Sequence, residues 1–106
     1  MFRVVAGREG EVGYWLHPAG RGRGVAAEAV RLALRHAFLP AEVGGLGLAR
    51  VRAVAAVGND PSQRVLERAG FTQQGRERRV CMLAGGVLGD GLVYDVLPEE
   101  LFALSV

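Results

Sequence analysis

The stretch "EVGYWLHPAGRGRGVAAEAVRLALRHAFLP" (Glu11–Pro40) changes character twice. Glu11–His17 is short and rich in β-formers, and Pro18 ends it, because proline cannot donate to a strand ladder. Gly20–Gly24 then packs three glycines around Arg21 and Arg23. From Val25 the period becomes helical: Val25, Ala29, Val30, Ala33, Leu34, Ala37 and Phe38 fall three and four apart. Glu28, Arg31 and Arg35 take the other face, where Glu28 and Arg31 are spaced to pair across one turn. Pro40 stops the helix after Leu39. A glycine-rich connection, "AEVGGLGLA", leads to "ARVRAVAAV" (Ala49–Val57), in which Val51, Ala53 and Ala55 alternate with Arg50, Arg52 and Val54. Strand 11–17, helix 25–39 and strand 49–57 thus form a crossover, and a crossover makes its two strands parallel.

The rest of the chain extends this unit on both sides. "FRVVA" (Phe2–Ala6) and Glu11–His17 flank "GREG" (Gly7–Gly10), the spacing of a β-hairpin. "GNDPSQRVLERAGF" (Gly58–Phe71) reads as a loop and a short helix. Asn59 or Asp60 is the cap, Pro61 suits the first turn, Val65, Leu66 and Ala69 form the buried stripe, and Gly70 is a left-handed stop. "RERRVCML" (Arg76–Leu83) and "GLVYDVL" (Gly91–Leu97) read as two further strands around the turn "AGGVLGDG". The order β-β-α-β-α-β-β describes an α+β (α/β) fold with a mixed sheet, one parallel pair among antiparallel neighbours.

Composition narrows the function classes. At 106 residues the chain is one domain, 1–106, and with 50% hydrophobic and 23% charged residues it reads as folded and soluble. No apolar run approaches the roughly 18 residues that span a bilayer, so no membrane partner is expected. The single cysteine, Cys81, excludes an internal disulfide framework and fits the cytoplasm. Net charge is only +2, and every basic residue is arginine. The pairs Arg21/Arg23 and Arg50/Arg52 and the trio Arg76/Arg78/Arg79 are mixed with acids, so the long basic stripe of a nucleic-acid surface is missing. No cluster has metal-ligand spacing, and no metal is expected.

A glycine-rich loop before a helix lets backbone N–H groups approach an anion, and the helix start adds unpaired donors and partial positive charge. Arg21 and Arg23 supply full charges that can fork onto phosphate oxygens. The alternative is a surface turn whose glycines serve geometry alone. Gly22-x-Gly24-x-x-Ala27, with Glu42 further on, formally fits the dinucleotide fingerprint. However, "HPAGR" separates the glycines from the strand end, and Glu42 falls before the second strand rather than at its end. A Walker A loop fails as well, for want of Gly-Lys-Ser/Thr.

Two motifs in order decide between these. "RGRGVA" is Arg-x-x-Gly-x-Ala, and "GNDPSQRVLERAGF" contains Asn-x-x-Ser-x-x-Val-Leu-Glu-x-x-Gly-Phe. With "GYWLHP" before and "RVRAVAAV" between, they resemble the GCN5-related N-acetyltransferases (GNAT), in particular the ribosomal-protein-alanine acetyltransferase (RimJ/RimL-like) branch. The resemblance runs from about Glu11 to Phe71, and "DGLVYDVLPEEL" resembles this branch's last strand.

The resemblance implies an N-acetyltransferase that moves an acetyl group from acetyl-CoA to a primary amine, on a protein N-terminus or a small molecule. By motif match, Arg21, Gly22, Arg23, Gly24, Val25 and Ala26 hold the pyrophosphate of acetyl-CoA. Leu16 and His17 give main-chain hydrogen bonds to the pantetheine arm and polarise the thioester carbonyl. Asn59 has two readings, a contact to the pantetheine region and a helix cap. Ser62 likewise has two: a donor of a proton to the leaving thiolate, and an ordinary serine of the first helical turn. Tyr14 and Trp15 read as packing residues on alternate faces of a strand. No general base announces itself: Glu11 and Tyr94 are candidates, His36 belongs to a polar helix face, and Cys81 reads as a buried strand cysteine without a nearby base.

The resemblance also implies that the front of the domain is missing, since a complete member starts with a strand, one or two helices and a further strand. "FRVVA" is then an exposed sheet edge. Three outcomes follow: a fragment of a longer acetyltransferase, a homodimer or other association that completes the sheet, or a non-catalytic CoA-binding or dimerisation module.

Overall fold

A computed structural model describes residues 2–6, 9–12 and 23–103. Strands β1 (Phe2–Ala6) and β2 (Glu9–Val12) come first, followed by helix α1 (Arg23–Phe38) and strand β3 (Arg50–Ala56). Helix α2 (Asp60–Ala69), the hairpin of β4 (Thr72–Met82) and β5 (Leu88–Val96), and a short helix α3 (Pro98–Ala103) complete the chain. Single 3-10 turns interrupt the connections at Ala41–Val43 and Ala84–Gly86. The strands lie in the order β1-β2-β3-β5-β4. β2 and β3 are parallel, Glu9 to Arg50 through Val12 to Ala53, and every other pair is antiparallel. The expected crossover and the mixed sheet are therefore present, and β1 forms one edge.

Helix α1 begins two residues earlier than its apolar period suggests, so Arg23 and Gly24 belong to its first turn. Its buried face also differs. Ala27, Val30, Leu34, Ala37 and Phe38 are buried, whereas Ala29 is exposed. Alanine buries too little surface to fix a helix face, and the larger Val30, Leu34 and Phe38 set it instead. Arg31 lies near enough to Glu28 to pair, at 3.5 Å, and its Nη2 donates to the Arg68 carbonyl of α2 at 2.5 Å. That contact joins the two helices on one face of the sheet.

Strand β3 alternates as its sequence does, with Val51, Ala53 and Ala55 buried beneath the helices. Val65, Leu66, Ala69 and Tyr94 complete this core. The opposite face of the sheet is ionic. Arg50 bridges Glu9 (2.6 Å) and Asp95 (3.0 Å), Arg52 reaches Glu77 (3.2 Å), and Gln74 also donates to Asp95.

The hairpin departs most from expectation. β4 starts at Thr72 rather than Arg76, and β5 at Leu88 rather than Gly91, which leaves only 83–87 as the turn. Gly89 and Gly91, which look like turn residues, lie inside β5. A Cβ on Gly91 would meet Val54 Cγ1 at 2.5 Å, Val80 Cγ2 at 2.8 Å and Cys81 Sγ at 3.0 Å. The glycine admits neighbours rather than turning the chain. Helix α3 is an addition to the expected order: Glu100 accepts from the Leu97 N–H at 2.9 Å, and Leu101 is buried.

Candidate functional site

Because β2 and β3 are parallel, both end at the same end of the sheet, and α1 and α2 begin from that end. The first turn of α1 has no acidic residue, so nothing there offsets the positive pole of a sixteen-residue helix. Small residues, Gly24, Ala26 and Ala27, fill it. A first turn without an acidic residue suits a diphosphate, which helix N–H groups and the positive pole favour.

The start of α2 is built differently. The Asn59 side-chain oxygen accepts from the Ser62 N–H at 3.3 Å, and the Asn59 carbonyl accepts from the Gln63 N–H at 3.1 Å. Gly70 closes the helix in the left-handed conformation, φ 106°, its N–H donating to the Leu66 and Glu67 carbonyls. Asn59 is therefore the cap. The cap uses only Oδ1; the exposed Nδ2 group has no partner among the described residues, which leaves room for the second reading of this residue. Ser62 lies one turn in and is 8% exposed.

Leu16, His17, Arg21 and Gly22 lie outside the described residues, as do Tyr14 and Trp15. Of Arg23, Gly24 and Val25 the helical backbone is described, and Ala26 is half-buried against the core. The topology thus brings Arg23–Ala26 and the Asn59–Ser62 turn to one end of the sheet, on the two helices that Arg31 ties together.

The remaining candidates separate clearly. Tyr94 is fully buried, and its hydroxyl has no hydrogen bond of good geometry among the described residues. Burial first, and the Glu67 carboxylate second, hold its phenol above the ordinary range, so it is a poor base at neutral pH. Cys81 is half-buried rather than buried, and desolvation raises its thiol, which keeps it protonated. His36 is exposed on α1. Glu11 stands in register with Arg52 across β2 and β3. Among the described residues no three histidine, cysteine or acidic side chains gather as metal ligands, and no described helix is long and apolar enough to cross a membrane.

One feature escaped the sequence. Between the pairs Glu77–Gly91 and Cys81–Gly89, three residues of β4 oppose a single residue of β5, a bulge larger than the common two-to-one kind. At its centre Arg79 has φ 55°, outside the range that side chains other than glycine favour. Asp90 holds it there. Its Oδ1 accepts from the Arg79 N–H at 3.2 Å and its Oδ2 from Arg76 Nε and Nη2 at 3.1 and 2.9 Å. Arg76 first and the Arg79 amide second keep the Asp90 carboxyl below its ordinary range. Glu77, Arg78, Arg79 and Asp90 line an open depression of about 650 Å³ here. The run "RERRV" showed the charges but not the bulge, because the partner that fixes it lies eleven positions away.

The family description "Acetyltransferase (GNAT) domain" matches residues 1–72. YdaF of Bacillus subtilis, named as a ribosomal N-acetyltransferase, is 36% identical over 93 residues, which are 88% of this chain and 48% of that protein. The solved structure of Mycobacterium smegmatis RimJ in complex with CoA-disulfide superposes with a TM-score of 0.75 at 30% identity, over 93% of this chain and 44% of that one. A GNAT-family acetyltransferase from Bacillus anthracis does so with a TM-score of 0.73 at 30% identity, over 93% and 57%. The chain spans about half the length of the curated relatives it matches.

Proposed function

This chain belongs to the GNAT acetyltransferase family, and from that membership we propose that it binds acetyl-CoA and transfers the acetyl group to a primary amine. The observation that carries the reading is the convergence of two helix starts, Arg23–Ala26 and Asn59–Ser62, at the end of the sheet where parallel β2 and β3 finish. Acetyl-CoA is the co-substrate and supplies an activated thioester. Arg21 to Ala26 hold its diphosphate through main-chain N–H groups and the two guanidinium groups. Leu16 and His17 present main-chain donors and acceptors to the pantetheine arm, and Asn59 adds its Nδ2 donors while still capping α2. An amine that has lost its ammonium proton attacks the acetyl carbonyl, the C–S bond breaks, and Ser62 gives a proton to the departing thiolate. The proton that the nitrogen sheds as the amide forms returns to Ser62 through water. The acceptor we propose is a protein N-terminus, the word "ribosomal" in the name YdaF carries favouring a macromolecular acceptor; a small-molecule amine is the alternative class.

Calorimetric titration with acetyl-CoA tests the reading, with Gly24→Glu as the control. Binding at about micromolar Kd, on the order of −8 kcal/mol, that the added carboxylate abolishes is the expected result. Absence of binding by the folded chain overturns it. Because the chain spans half of its relatives, a second reading is a CoA-binding half without turnover. Binding without acetylation of any amine selects it.

A further inference from the structure

The bulge of β4 gathers Arg76, Glu77, Arg78 and Arg79 against Asp90, and its charges do not cancel. Each carboxylate there is already taken. Asp90 is held by Arg76 and by the Arg79 amide, and Glu77 by Arg52 from β3. The side chains of Arg78 and Arg79 are exposed and make no hydrogen bond or ion pair to a carboxylate among the described residues, although the Arg78 charge is near enough to act on Asp90. The bulge adopts a left-handed residue at Arg79 and opposes three residues to one, so the backbone is bent around these two arginines. Two adjacent guanidinium groups over an open depression suit a carboxylate, which can accept paired N–H donors from each.

The topology fixes where this depression lies. β5 runs antiparallel to β3, and β4 antiparallel to β5, so the start of β5 and the end of β4 stand where β2 and β3 finish. The Asp90 carbonyl accepts from the Val57 N–H at 3.0 Å, two residues before the Asn59 cap. The bulge is thus level with the proposed acetyl-transfer site and displaced across the sheet. From the midline of the paired β2 and β3 to β4 is two and a half strand spacings, about 12 Å. An extended peptide advances about 3.3 Å per residue, so this distance is three to four residues.

We propose that Arg78 and Arg79 dock an acidic side chain three or four residues beyond the first residue of a peptide acceptor whose α-amine sits at the end of the sheet where β2 and β3 finish. The proposal rests on the acetyl-transfer reading and names the acceptor class for it: a protein N-terminus with glutamate or aspartate at its fourth or fifth position. The bulge then selects an acceptor as well as interrupting an exposed edge.

The test uses peptides labelled with fluorescein at the C-terminus and followed by anisotropy on the 106-residue chain. One carries Glu at positions four and five, a second Gln there, and a third Glu at seven and eight. Tighter binding of the first by about tenfold is expected, a charge-assisted pair's worth, and Arg78→Ala/Arg79→Ala abolishes the preference. Arg35→Ala/Arg68→Ala removes equal charge elsewhere and leaves the preference intact. Arg78→Lys/Arg79→Lys retains part of it. Equal or undetectable binding of all three peptides overturns the proposal. So does a preference lost equally in both alanine pairs, which marks general attraction, or Glu at seven and eight serving as well. Acetyl transfer to the same peptides is read in parallel. A position-dependent preference without any acetylation leaves the docking site standing and removes the transfer reading. Acetylation that ignores the acidic residues does the reverse.

Discussion

Asn59 illustrates how a single side chain can serve both fold and site. Its Oδ1 caps α2, and its Nδ2 group remains available at the end of the sheet where the family's coenzyme is expected. The two roles separate by substitution. Asn59→Ala should lower stability by about 1 kcal/mol, read from urea unfolding, and weaken acetyl-CoA binding. Asn59→Asp should restore the stability, since Asp caps equally well, but leave binding weak because the N–H donors are gone. Tyr94 gives the opposite lesson. Its buried hydroxyl makes no good hydrogen bond among the described residues, so Tyr94→Phe should leave stability at pH 7 unchanged or slightly raised. Its folded pKa is raised above 10, so the neutral phenol's contribution is present below pH 10 and fades as pH rises through the raised value. Tyr94→Phe should therefore remove part of the alkaline loss of stability, as thermal melts between pH 8 and 11 would reveal. A fall in stability at neutral pH would mean that the hydroxyl has a partner.

Elements were legible in the sequence where one short-range rule specifies them. Asn59, Pro61 and Gly70 bracket α2 because a cap, a first turn and a left-handed stop are each local. β3 was legible because its alternation and its burial agree residue for residue. The hairpin was not, because glycine has two meanings that only the fold separates. At Gly58, φ is 90° and no atom crowds a Cβ, so that glycine turns the chain. At Gly91 no positive φ is required, but Val54, Val80 and Cys81 occupy the place of a side chain. Gly91→Ala should then cost about 1–3 kcal/mol through overpacking, whereas Gly58→Ala should cost about 1 kcal/mol through backbone strain alone. Trimming the neighbour distinguishes the two: Val54→Ala should relieve part of the cost at Gly91 and none at Gly58. The bulge of β4 was illegible for a related reason. Its residues are ordinary in sequence, and Asp90 on the next strand gives them their geometry.

At the scale of the whole molecule, the candidate site belongs to no single element. Arg-x-x-Gly-x-Ala and Asn-x-x-Ser were readable as chemistry because they are contiguous, but what makes them one site is the parallel pairing of β2 with β3 and the packing of α1 on α2. A ligand held by both helix starts must stabilise both helices together. At acetyl-CoA one hundred times its Kd the gain is about 2.7 kcal/mol, which for a chain of this size raises the melting temperature by on the order of 10 °C. Amide exchange should slow in Arg23–Val30 and in Asn59–Leu66 alike, and less in the hairpin of β4 and β5, which lies across the sheet from both. Protection confined to one helix would mean that the motifs act separately, and that the convergence of their helices serves the core rather than the coenzyme. Protection of the hairpin as strong as that of the helices would place the ligand nearer the bulge, and the acceptor site would then have to be sought elsewhere.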